Sequence, residues 1–249
     1  MRVFLTGDTH RNELDRIEIF CEENNTTTDD IMIILGDAGI NYYLNNRDIA
    51  IKEYLSQLPI TIFCIHGNHE ERPENIKSYH RAYNDKVRGF VYIEENFPNL
   101  LFAIDNKTYF INNNYYYTFG GGYSVDKEYR LTVGTNWFPS EINHELVTKV
   151  NRQLDELNSS IKEYISLPVE RLIKEKISFN ILTHTCPLKY QPNETMLHWV
   201  KQNTVDKSLE LLFDRFDDMF DYKNWYCGHW HINKTVDKIH FLFRDIIEV

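Results

Sequence analysis

Five short segments of this sequence place side chains that can ligate a metal ion directly after a glycine or an apolar run. They are GDTH with Asp8 and His10, GDAG with Asp37, GNHE with Asn68 and His69, LTH with His184, and GHWH with His229 and His231. These side chains offer carboxylate, imidazole or amide donor atoms, which suit divalent cations. Asp8 and His10 are two positions apart, as are His229 and His231, so on extended backbone each pair points to one side and can reach a single ion. Each segment alone is an ordinary turn signal, but the five together predict a metal site.

The residues that precede these segments follow the patterns of strands and helices. Apolar runs at 2–7, 29–37 and 60–68 predict strands, and apolar residues at helical spacing over 14–23 and 47–58 predict helices. This alternation predicts right-handed β-α-β units and a largely parallel sheet. Because side chains just past the carboxyl ends of such strands converge on one crevice, we expect the five segments to meet there.

The rest of the chain predicts a second sheet and a helical insertion. Short strands separated by turn residues over 86–122 predict antiparallel hairpins. Ser140 is predicted to be the N-cap of a helix over 141–158. Further predicted elements are a helix over 161–176 with a break near Pro168, strands over 177–184 and 224–231, and a hairpin over 234–244 that turns at Asp237 and Lys238. We therefore expect one α/β domain over 1–249, with two sheets, helices outside them, and a loop-plus-helix insertion over 123–176.

Composition limits the classes of function. The 249 residues are 42% hydrophobic and 26% charged, which is typical of a globular protein. No apolar run reaches the roughly 18 residues of a membrane span, and the first ten residues do not read as a signal peptide, so we expect a cytoplasmic protein. The net charge of −10 and the lack of a strong basic run argue against simple electrostatic binding of nucleic acid. The four cysteines lack C-x-x-C spacing and are expected to be reduced thiols, with Cys64 and Cys227 in strands.

The order of the five segments, D-x-H, G-D, G-N-H-E, H and G-H-x-H over residues 7–231, resembles that of the calcineurin-like metallophosphoesterases. The stretch FGGGYSVDKEYR at 119–130, with Trp137 and Glu141, is similar to a segment of small bacterial and phage members. The resemblance implies a four-layer α/β/β/α sandwich of two mixed sheets with a helical insertion. It also implies two divalent ions that share one carboxylate. The implied ligands are Asp8, His10, Asp37 and His231 for one ion, and Asp37, Asn68, His184 and His229 for the other.

The same resemblance implies a reaction. A hydroxide that bridges the two ions would attack a phosphomonoester or a phosphodiester. Asp37 and His69 would be the catalytic residues, with His69 protonating the leaving group or stabilising the transition state. Oxygen and imidazole ligands without sulfur suit Mn, Fe or Zn. Of these metals we expect Mn first, with Fe or Zn as alternatives. Two divalent ions, two aspartates and one hydroxide would together carry a charge of about +1. A phosphate anion can therefore enter the site of an acidic protein.

The substrate-binding residues are less closely defined. Asn68 and Arg130 are the candidates, and Arg130 is the best phosphate-binding residue of the glycine-rich stretch. Tyr123, Asp126 and Lys127 would form the substrate wall with it, or the stretch only anchors the inserted helices. Glu70 would orient His69 or support the metal site, or it is a solvated turn carboxylate.

Two other functions are compatible with the sequence. A nuclease of the same fold would need a cationic strip, for which the best sources are residues 123–130 with Arg152 and Arg171. A non-catalytic, protein-binding scaffold is expected to lack one or more ligands, whereas all seven are present here. The expected partner is a small phosphorylated substrate or a phosphodiester, with nucleic acid only as a substrate and no membrane. The motifs that mark protein Ser/Thr phosphatases, G-D-x-H-G and G-D-x-x-D-R-G, are incomplete, which argues against that activity.

Overall fold

The computed structural model describes residues 1–10, 14–158, 167–195 and 205–249. Within these ranges the chain forms two mixed β-sheets that face each other, with helices on the outer face of each sheet. The α/β class and the two-sheet architecture predicted from the sequence are confirmed.

The first sheet has parallel strands at its centre and antiparallel strands at both edges. Its strands are β1 (Val3–Thr6), β2 (Ile31–Leu35), β3 (Thr61–Ile65), β4 (His80–Asn84), β5 (Gly89–Ile93), β6 (Leu100–Ala103) and the last strand of the chain, β13 (Ile247–Glu248). Their order across the sheet is β13-β1-β2-β3-β6-β5-β4. Every residue of β1, β2 and β3 is buried. A parallel strand covered on both faces needs apolar residues on both, which explains the continuous apolar runs.

The second sheet is built in the same way. Its strands are β7 (Lys107–Ile111), β8 (Asn114–Phe119), β9 (Phe179–Thr183), β10 (Trp225–Cys227), β11 (Lys234–Val236) and β12 (Ile239–Phe241). Their order is β11-β12-β10-β9-β8-β7, with the four central strands parallel. The predicted antiparallel hairpins of 86–122 are present, but they are divided between the sheets, since β5 and β6 belong to the first sheet and β7 and β8 to the second.

The helices complete four layers. They are α1 (Asp15–Asn24), α2 (Asn46–Ser56), α3 (Lys127–Val133), α4 (His144–Asn158), α5 (Glu170–Lys174) and α6 (Ser208–Met219). Ile17 of α1 and Leu55 of α2 pack on the first sheet, and Val150 of α4 and Phe216 of α6 pack on the second. A third apolar core lies between the sheets. The result is the expected α/β/β/α sandwich.

The start of α4 differs from the prediction. The helix begins at His144, not at 141, and the Asn143 side chain accepts a hydrogen bond from the Leu146 backbone N–H at 3.0 Å. The predicted cap, Ser140, lies in a 3₁₀ turn over Pro139–Glu141, and its hydroxyl donates to Glu71 Oε1 at 2.6 Å. The prediction was wrong because the hydroxyl serves a tertiary contact, which the local pattern cannot reveal.

The structure also contains elements that no sequence pattern predicted, namely β4, β13, α3 and α6. Of the helix predicted over 161–176, residues 161–166 lie outside the described part of the chain, and α5 follows Pro168. Cys64 lies in β3 and Cys227 in β10, as predicted, and both are buried. No described helix is long and apolar enough to cross a membrane.

Candidate metal centre

The five segments meet beside the carboxyl ends of strands from both sheets. Asp8 follows β1, Asp37 follows β2 and Asn68 follows β3, while His184 follows β9 and His229 follows β10. Parallel strands place these ends at one edge of each sheet, so five distant parts of the chain converge. The expectation that the segments would meet at one crevice is therefore matched by the geometry.

Backbone hydrogen bonds tie the segments to one another. The N–H of His10 donates to the Asp37 carbonyl at 2.8 Å, and the N–H of His69 donates to Asp37 Oδ1 at 2.8 Å. The N–H of His229 donates to Asp8 Oδ2 at 2.7 Å, and the N–H of Gly228 donates to the His184 carbonyl at 2.9 Å. The carboxylates are thus positioned by main-chain donors from the neighbouring segments.

One group of candidate ligands contains Asp8, His10 and His231, whose donor atoms all lie within 4.8 Å of one another. The Nε2 atoms of His10 and His231 are 3.0 Å apart, and His231 Nε2 lies 3.7 Å from Asp8 Oδ1. Asp8 is fully buried, whereas the His231 side chain is 51% exposed. This group therefore lies at the more open side of the centre.

A second group contains Asn68, His184 and His229. Oδ1 of Asn68 lies 2.8 Å from His184 Nε2 and 3.0 Å from His229 Nδ1, and the two ring nitrogens are 3.2 Å apart. Oδ2 of Asp37 is 3.6 Å from His184 Nε2. The donor atoms of Asp8, Asp37 and His184 also lie within 4.8 Å of one another. Asp8 therefore lies close to His10 and His231 and also to Asp37 and His184. The resemblance had implied that Asp37 is the shared carboxylate.

The hydrogen bonds fix where the lone pairs of the second group point. Nδ1 of His184 lies 2.8 Å from the Leu35 carbonyl, which can only accept, so this nitrogen carries the proton. In this tautomer the lone pair is on Nε2 and faces Asn68 Oδ1, another acceptor. Two acceptors at this distance repel each other unless a cation lies between or beside them. A metal-ligating histidine characteristically donates its other N–H to a carbonyl in this way.

The backbone at the centre is held in an unfavourable conformation. Five non-glycine residues of the site have positive φ values, namely Asp8 at 47°, His10 at 43°, Asp37 at 50°, His229 at 68° and His231 at 52°. The left-handed region is costly for residues with a Cβ, and such strain concentrates at functional sites. The strain turns these side chains toward the centre, away from the alternation of a regular strand.

Two glycines of the segments are required by close packing. A Cβ on Gly36, whose φ is 88°, would overlap the imidazole of His184. A Cβ on Gly67 would overlap the carboxylate and backbone of Asp37. Each glycine therefore makes room for a candidate ligand from another segment.

Burial sets the protonation of the centre. It raises the pKa of the Asp8 carboxyl well above its usual range, and the neighbouring charge of Asp37 raises it further. Burial also opposes ionisation of Asp37, but the surrounding imidazoles, His69 first, outweigh it and lower the pKa of Asp37. Burial lowers the pKa of His10 to about 4 and that of His229 well below its usual value. These two imidazoles are therefore neutral at pH 7, with lone pairs available to a cation.

His69 and Arg130 lie next to the candidate ligands. Nε2 of His69 is 3.9 Å from Asp37 Oδ2, and its side chain is 22% exposed. Burial lowers the pKa of His69, while Asp37 opposes this effect. The Arg130 guanidinium is held by Asp126 Oδ2 at 2.7 Å and by the Asn136 carbonyl at 2.9 Å, with its remaining nitrogen 3.5 Å from His69 Nε2. The Lys127 ammonium instead lies over the ring of Trp137, 4.1 Å from its centroid.

The structure distinguishes among the alternatives considered for Glu70. Glu70 is fully buried, so the interpretation as a solvated turn carboxylate is wrong. Its Oε1 accepts a hydrogen bond from the Gly67 N–H at 2.8 Å, which closes the turn that carries Asn68. Burial raises the pKa of Glu70 well above its usual value.

Sequence analysis also missed Arg16. Its two terminal nitrogens donate to the carbonyls of Gly7 at 2.6 Å and Phe243 at 2.7 Å, and the Phe243 ring stacks on the imidazole of His231. Arg16 thus joins the two ends of the first group of ligands. No local signal marks it, because a lone arginine in a helix pattern reads as a surface residue.

The donor set fits divalent cations. It consists of carboxylate, amide oxygen and imidazole atoms without a thiolate, as Mn, Fe or Zn sites with nitrogen and oxygen ligands do. Oδ1 of Asp8 is buried and accepts no hydrogen bond from any described residue, although buried carboxylates are otherwise hydrogen-bonded. A cation beside Asp8 would satisfy this oxygen and favour the ionised carboxyl that burial opposes.

Comparison with known proteins agrees with this geometry. The sequence profile of the family described as calcineurin-like phosphoesterase matches residues 1–233. A search among curated proteins found no match to the chain. The matched region contains all five segments and the strands β1 to β10, whereas β11, β12 and β13 follow it. The chain belongs to the calcineurin-like phosphoesterase family, a family of metal-dependent phosphoric ester hydrolases.

Proposed function

We propose that this protein uses two divalent ions, Mn²⁺ first with Fe or Zn as alternatives, to hydrolyse a phosphomonoester or a phosphodiester. The observation that carries the proposal is the pair of facing acceptors, Asn68 Oδ1 and His184 Nε2, 2.8 Å apart beside Asp37. This arrangement is unfavourable by itself and becomes favourable with a cation. The buried, unpartnered Oδ1 of Asp8 supports a second cation in the same way.

The two groups of ligands divide six of the seven side chains between the ions, and Asp37 is the seventh. Asp8, His10 and His231 would hold one ion, and Asn68, His184 and His229 would hold the other. Asp37 lies beside the second group and is also hydrogen-bonded to the backbone of His69. When bound, two divalent ions lower the pKa of a water molecule toward neutrality and neutralise charge on the phosphoryl oxygens.

His69 would act on the leaving group. Its imidazole is partly exposed and lies beside the candidate ligands without belonging to either group. Because burial keeps the ring neutral, one ring nitrogen can donate a hydrogen bond to the oxygen that leaves phosphorus. Asp37 holds the backbone of His69 and thereby fixes the position of the ring.

Arg130 would bind the phosphoryl group. Two sides of its guanidinium are already held, so the nitrogen near His69 has a fixed direction and loses little entropy on binding an anion. Asn68, the other substrate-binding candidate, is 2% exposed, and its oxygen faces the two imidazoles. Asn68 therefore fits the role of a ligand better than that of a direct substrate contact.

The alternatives receive less support. The nuclease hypothesis needs a cationic strip, but the Arg171 guanidinium pairs with Glu175 on α5, and the Lys127 ammonium stacks on Trp137. A protein-binding scaffold does not need seven converging donor side chains in a strained backbone. We therefore favour a small phosphorylated substrate or a phosphodiester, with nucleic acid only as a substrate.

The proposal is tested with the chain loaded with Mn²⁺ and two chromogenic substrates, p-nitrophenyl phosphate and bis-p-nitrophenyl phosphate. We expect hydrolysis of at least one of them, abolished by a chelator and restored by Mn²⁺. The ratio of the two rates distinguishes a monoesterase from a diesterase. Asp37→Asn is the matched control and should lose both bound metal and activity. A Mn-loaded chain that hydrolyses neither substrate would contradict the proposal.

A further inference from the structure

We propose that Ser124 and Glu141 are positioning residues that set the orientation of the Asn68 amide and thereby make its oxygen, not its nitrogen, face the metal site. The inference rests on the proposed function, because it concerns how one ion is held. It gives the segment after β8 a role in the centre itself.

The Asn68 side chain is held from behind by one hydrogen bond. Its Nδ2 donates to Ser124 Oγ at 2.9 Å, and both residues are 2% exposed. The opposite end of the amide, Oδ1, faces His184 and His229. An amide rotated by 180° would present two N–H donors to a cation and would not ligate it.

Ser124 can hold the amide in this orientation only if its own hydroxyl proton points elsewhere. Glu141 provides that direction, since its carboxylate accepts from both the side chain and the backbone N–H of Ser124, the latter at 3.1 Å. With the proton used for Glu141, Ser124 Oγ has only lone pairs left for Asn68. A lone pair requires an N–H from the amide, and Nδ2 is therefore the end that turns toward Ser124.

Glu141 is in turn fixed by two further contacts. Its Oε2 accepts from Trp137 Nε1 at 3.0 Å, and its carbonyl accepts from the Gly122 N–H at 3.2 Å. Glu141 is 4% exposed, so water does not replace these partners. Hydrogen bonds are thus donated from Asn68 to Ser124 and from Ser124 to Glu141. The orientation is determined in the opposite order, since Glu141 fixes the Ser124 hydroxyl and Ser124 fixes the Asn68 amide.

This arrangement also explains why the glycine-rich stretch, Trp137 and Glu141 occur together in the sequence. The stretch crosses beside the centre, where the Gly121 N–H donates to the His66 carbonyl at 2.8 Å. It places Ser124 next to Asn68, and the turn over Pro139–Glu141 places the Glu141 carboxylate next to Ser124. Ser124 and Glu141 therefore act on the site through Asn68, without contacting the substrate.

The test measures Mn²⁺ binding to the purified full chain by titration calorimetry. Wild type should bind two ions per chain. Ser124→Ala should retain one ion with unchanged affinity and bind the other about 10–100-fold more weakly, as expected when a partner of a metal ligand is lost. Ser124→Thr, which keeps a hydroxyl, should restore the affinity. Glu141→Gln should behave like Ser124→Ala, because the amide of Gln donates to Ser124 Oγ and turns its proton toward Asn68.

Ser140→Ala is the matched control, since it removes a partly buried hydroxyl hydrogen bond from the same segment, one made to Glu71. It should bind both ions as wild type does. Equal affinities for both ions in wild type and Ser124→Ala, or equal losses in Ser124→Ala and Ser140→Ala, would overturn the positioning role. A wild-type chain that binds fewer than two ions would instead overturn the proposed function.

A second measurement, hydrogen exchange of the Asn68 side-chain amide, requires no bound metal. The backbone amides of β3 show in the same experiment whether a variant is folded. In wild type, the side-chain amide protons of Asn68 should exchange slowly with solvent, because one of them is bonded to buried Ser124. Glu141→Gln, which is nearly isosteric, should speed this exchange while leaving the backbone amides of β3 protected. Unchanged exchange at the Asn68 side chain would count against the inference.

Discussion

At the scale of single residues, the properties of the centre depend on where protons lie. The bond from His184 Nδ1 to the Leu35 carbonyl leaves Nε2 as a lone pair, and burial keeps His229 neutral. Burial has the opposite effect on Asp8, whose carboxyl holds its proton more tightly than usual. A divalent cation would favour the ionised form of the Asp8 carboxyl and would accept the lone pairs of the neutral imidazoles, so it would stabilise the buried groups as ligands.

His69→Ala should separate catalysis from metal binding. The Asp37 carboxylate is held by the backbone N–H of residue 69, which alanine retains, so both ions should remain bound. Loss of the imidazole should lower kcat about 10²–10⁴-fold, the usual contribution of a positioned acid or base. Metal content and kcat are measured on the same preparation. An unchanged kcat, or loss of the ions, would refute the assigned role.

Arg130→Ala should lower kcat/KM without reducing the amount of bound metal. A hydrogen bond to a charged group contributes about 1.5–3 kcal/mol, so kcat/KM should fall about 10–100-fold. Arg130→Lys should recover only part of this, because an ammonium cannot reproduce the fixed fork of the guanidinium. The matched control is Arg171→Ala, since Arg171 also pairs with a carboxylate four residues away but lies on α5. Equal kcat/KM values for the two alanine variants would show that Arg130 does not bind the phosphoryl group.

At the scale of elements, the strand ends act as rigid supports and the turns after them carry the strain. β1, β2 and β3 are buried along their whole length, whereas Asp8 and Asp37 immediately beyond them have positive φ values. The stability of the packed strands offsets the cost of these conformations, which is of order 1–3 kcal/mol per residue. Helix α6 contributes differently, because it places buried Glu210 beside Thr185, the residue after His184.

Glu210 makes the stability of this element depend on pH. Burial raises its pKa from 4.5 to about 7, while the bond from Thr185 opposes the rise. Between these values the folded state binds more protons than the unfolded state, so the stability contributed by the protonated carboxyl is present at low pH and is lost as pH rises through 7. At pH 8 the buried charge should cost about 3 kcal/mol.

Glu210→Gln should therefore raise the free energy of unfolding at pH 8 and change it little at pH 5. Denaturant unfolding at the two pH values measures the effect. The control is Glu128→Gln on α3, where the glutamate is exposed and the change should be small at both pH values. A variant that is no more stable than wild type at pH 8 would show that Glu210 is not a buried charge at that pH.

At the scale of the whole molecule, the centre joins the two sheets. Asp8, Asp37 and Asn68 come from the first sheet, and His184 and His229 come from the second. Ions bound between them would link the sheets directly, in addition to the apolar core that they share. Metal binding is therefore expected to stabilise the fold as well as to enable hydrolysis.

Saturation with Mn²⁺ should raise the melting temperature. One ion at 100 times its Kd stabilises the folded state by about 2.7 kcal/mol, which corresponds to about 5–10 °C for a chain of this size. Scanning calorimetry with Mn²⁺ and with a chelator measures the difference. Asp37→Asn should show a much smaller shift, and equal melting temperatures of wild type in both conditions would exclude tight binding to the folded state.

Several features could be predicted from the sequence because they depend on local patterns. Continuous apolar runs identify buried parallel strands, and the residues just past them identify the side chains that converge. The family resemblance extended this to the sandwich architecture and to the seven candidate ligands. The burial of Glu70, which decides among its alternatives, and the cap of α4 could not be predicted, because burial and the bond from Ser140 to Glu71 both arise from tertiary packing.

The sequence by itself determined the class of fold and which side chains could meet. The spacing of apolar residues predicts the strands and helices, and the residue types after the strands supply the donor atoms. Only the tertiary structure decided how they meet. The contacts concerned join residues between 17 and 223 positions apart in the sequence. They place the proton on His184, bring Asp8 to His231, and link Asn68 through Ser124 to Glu141. Hydrogen-bond direction and burial arise only once those partners are in contact, so no local pattern encodes them.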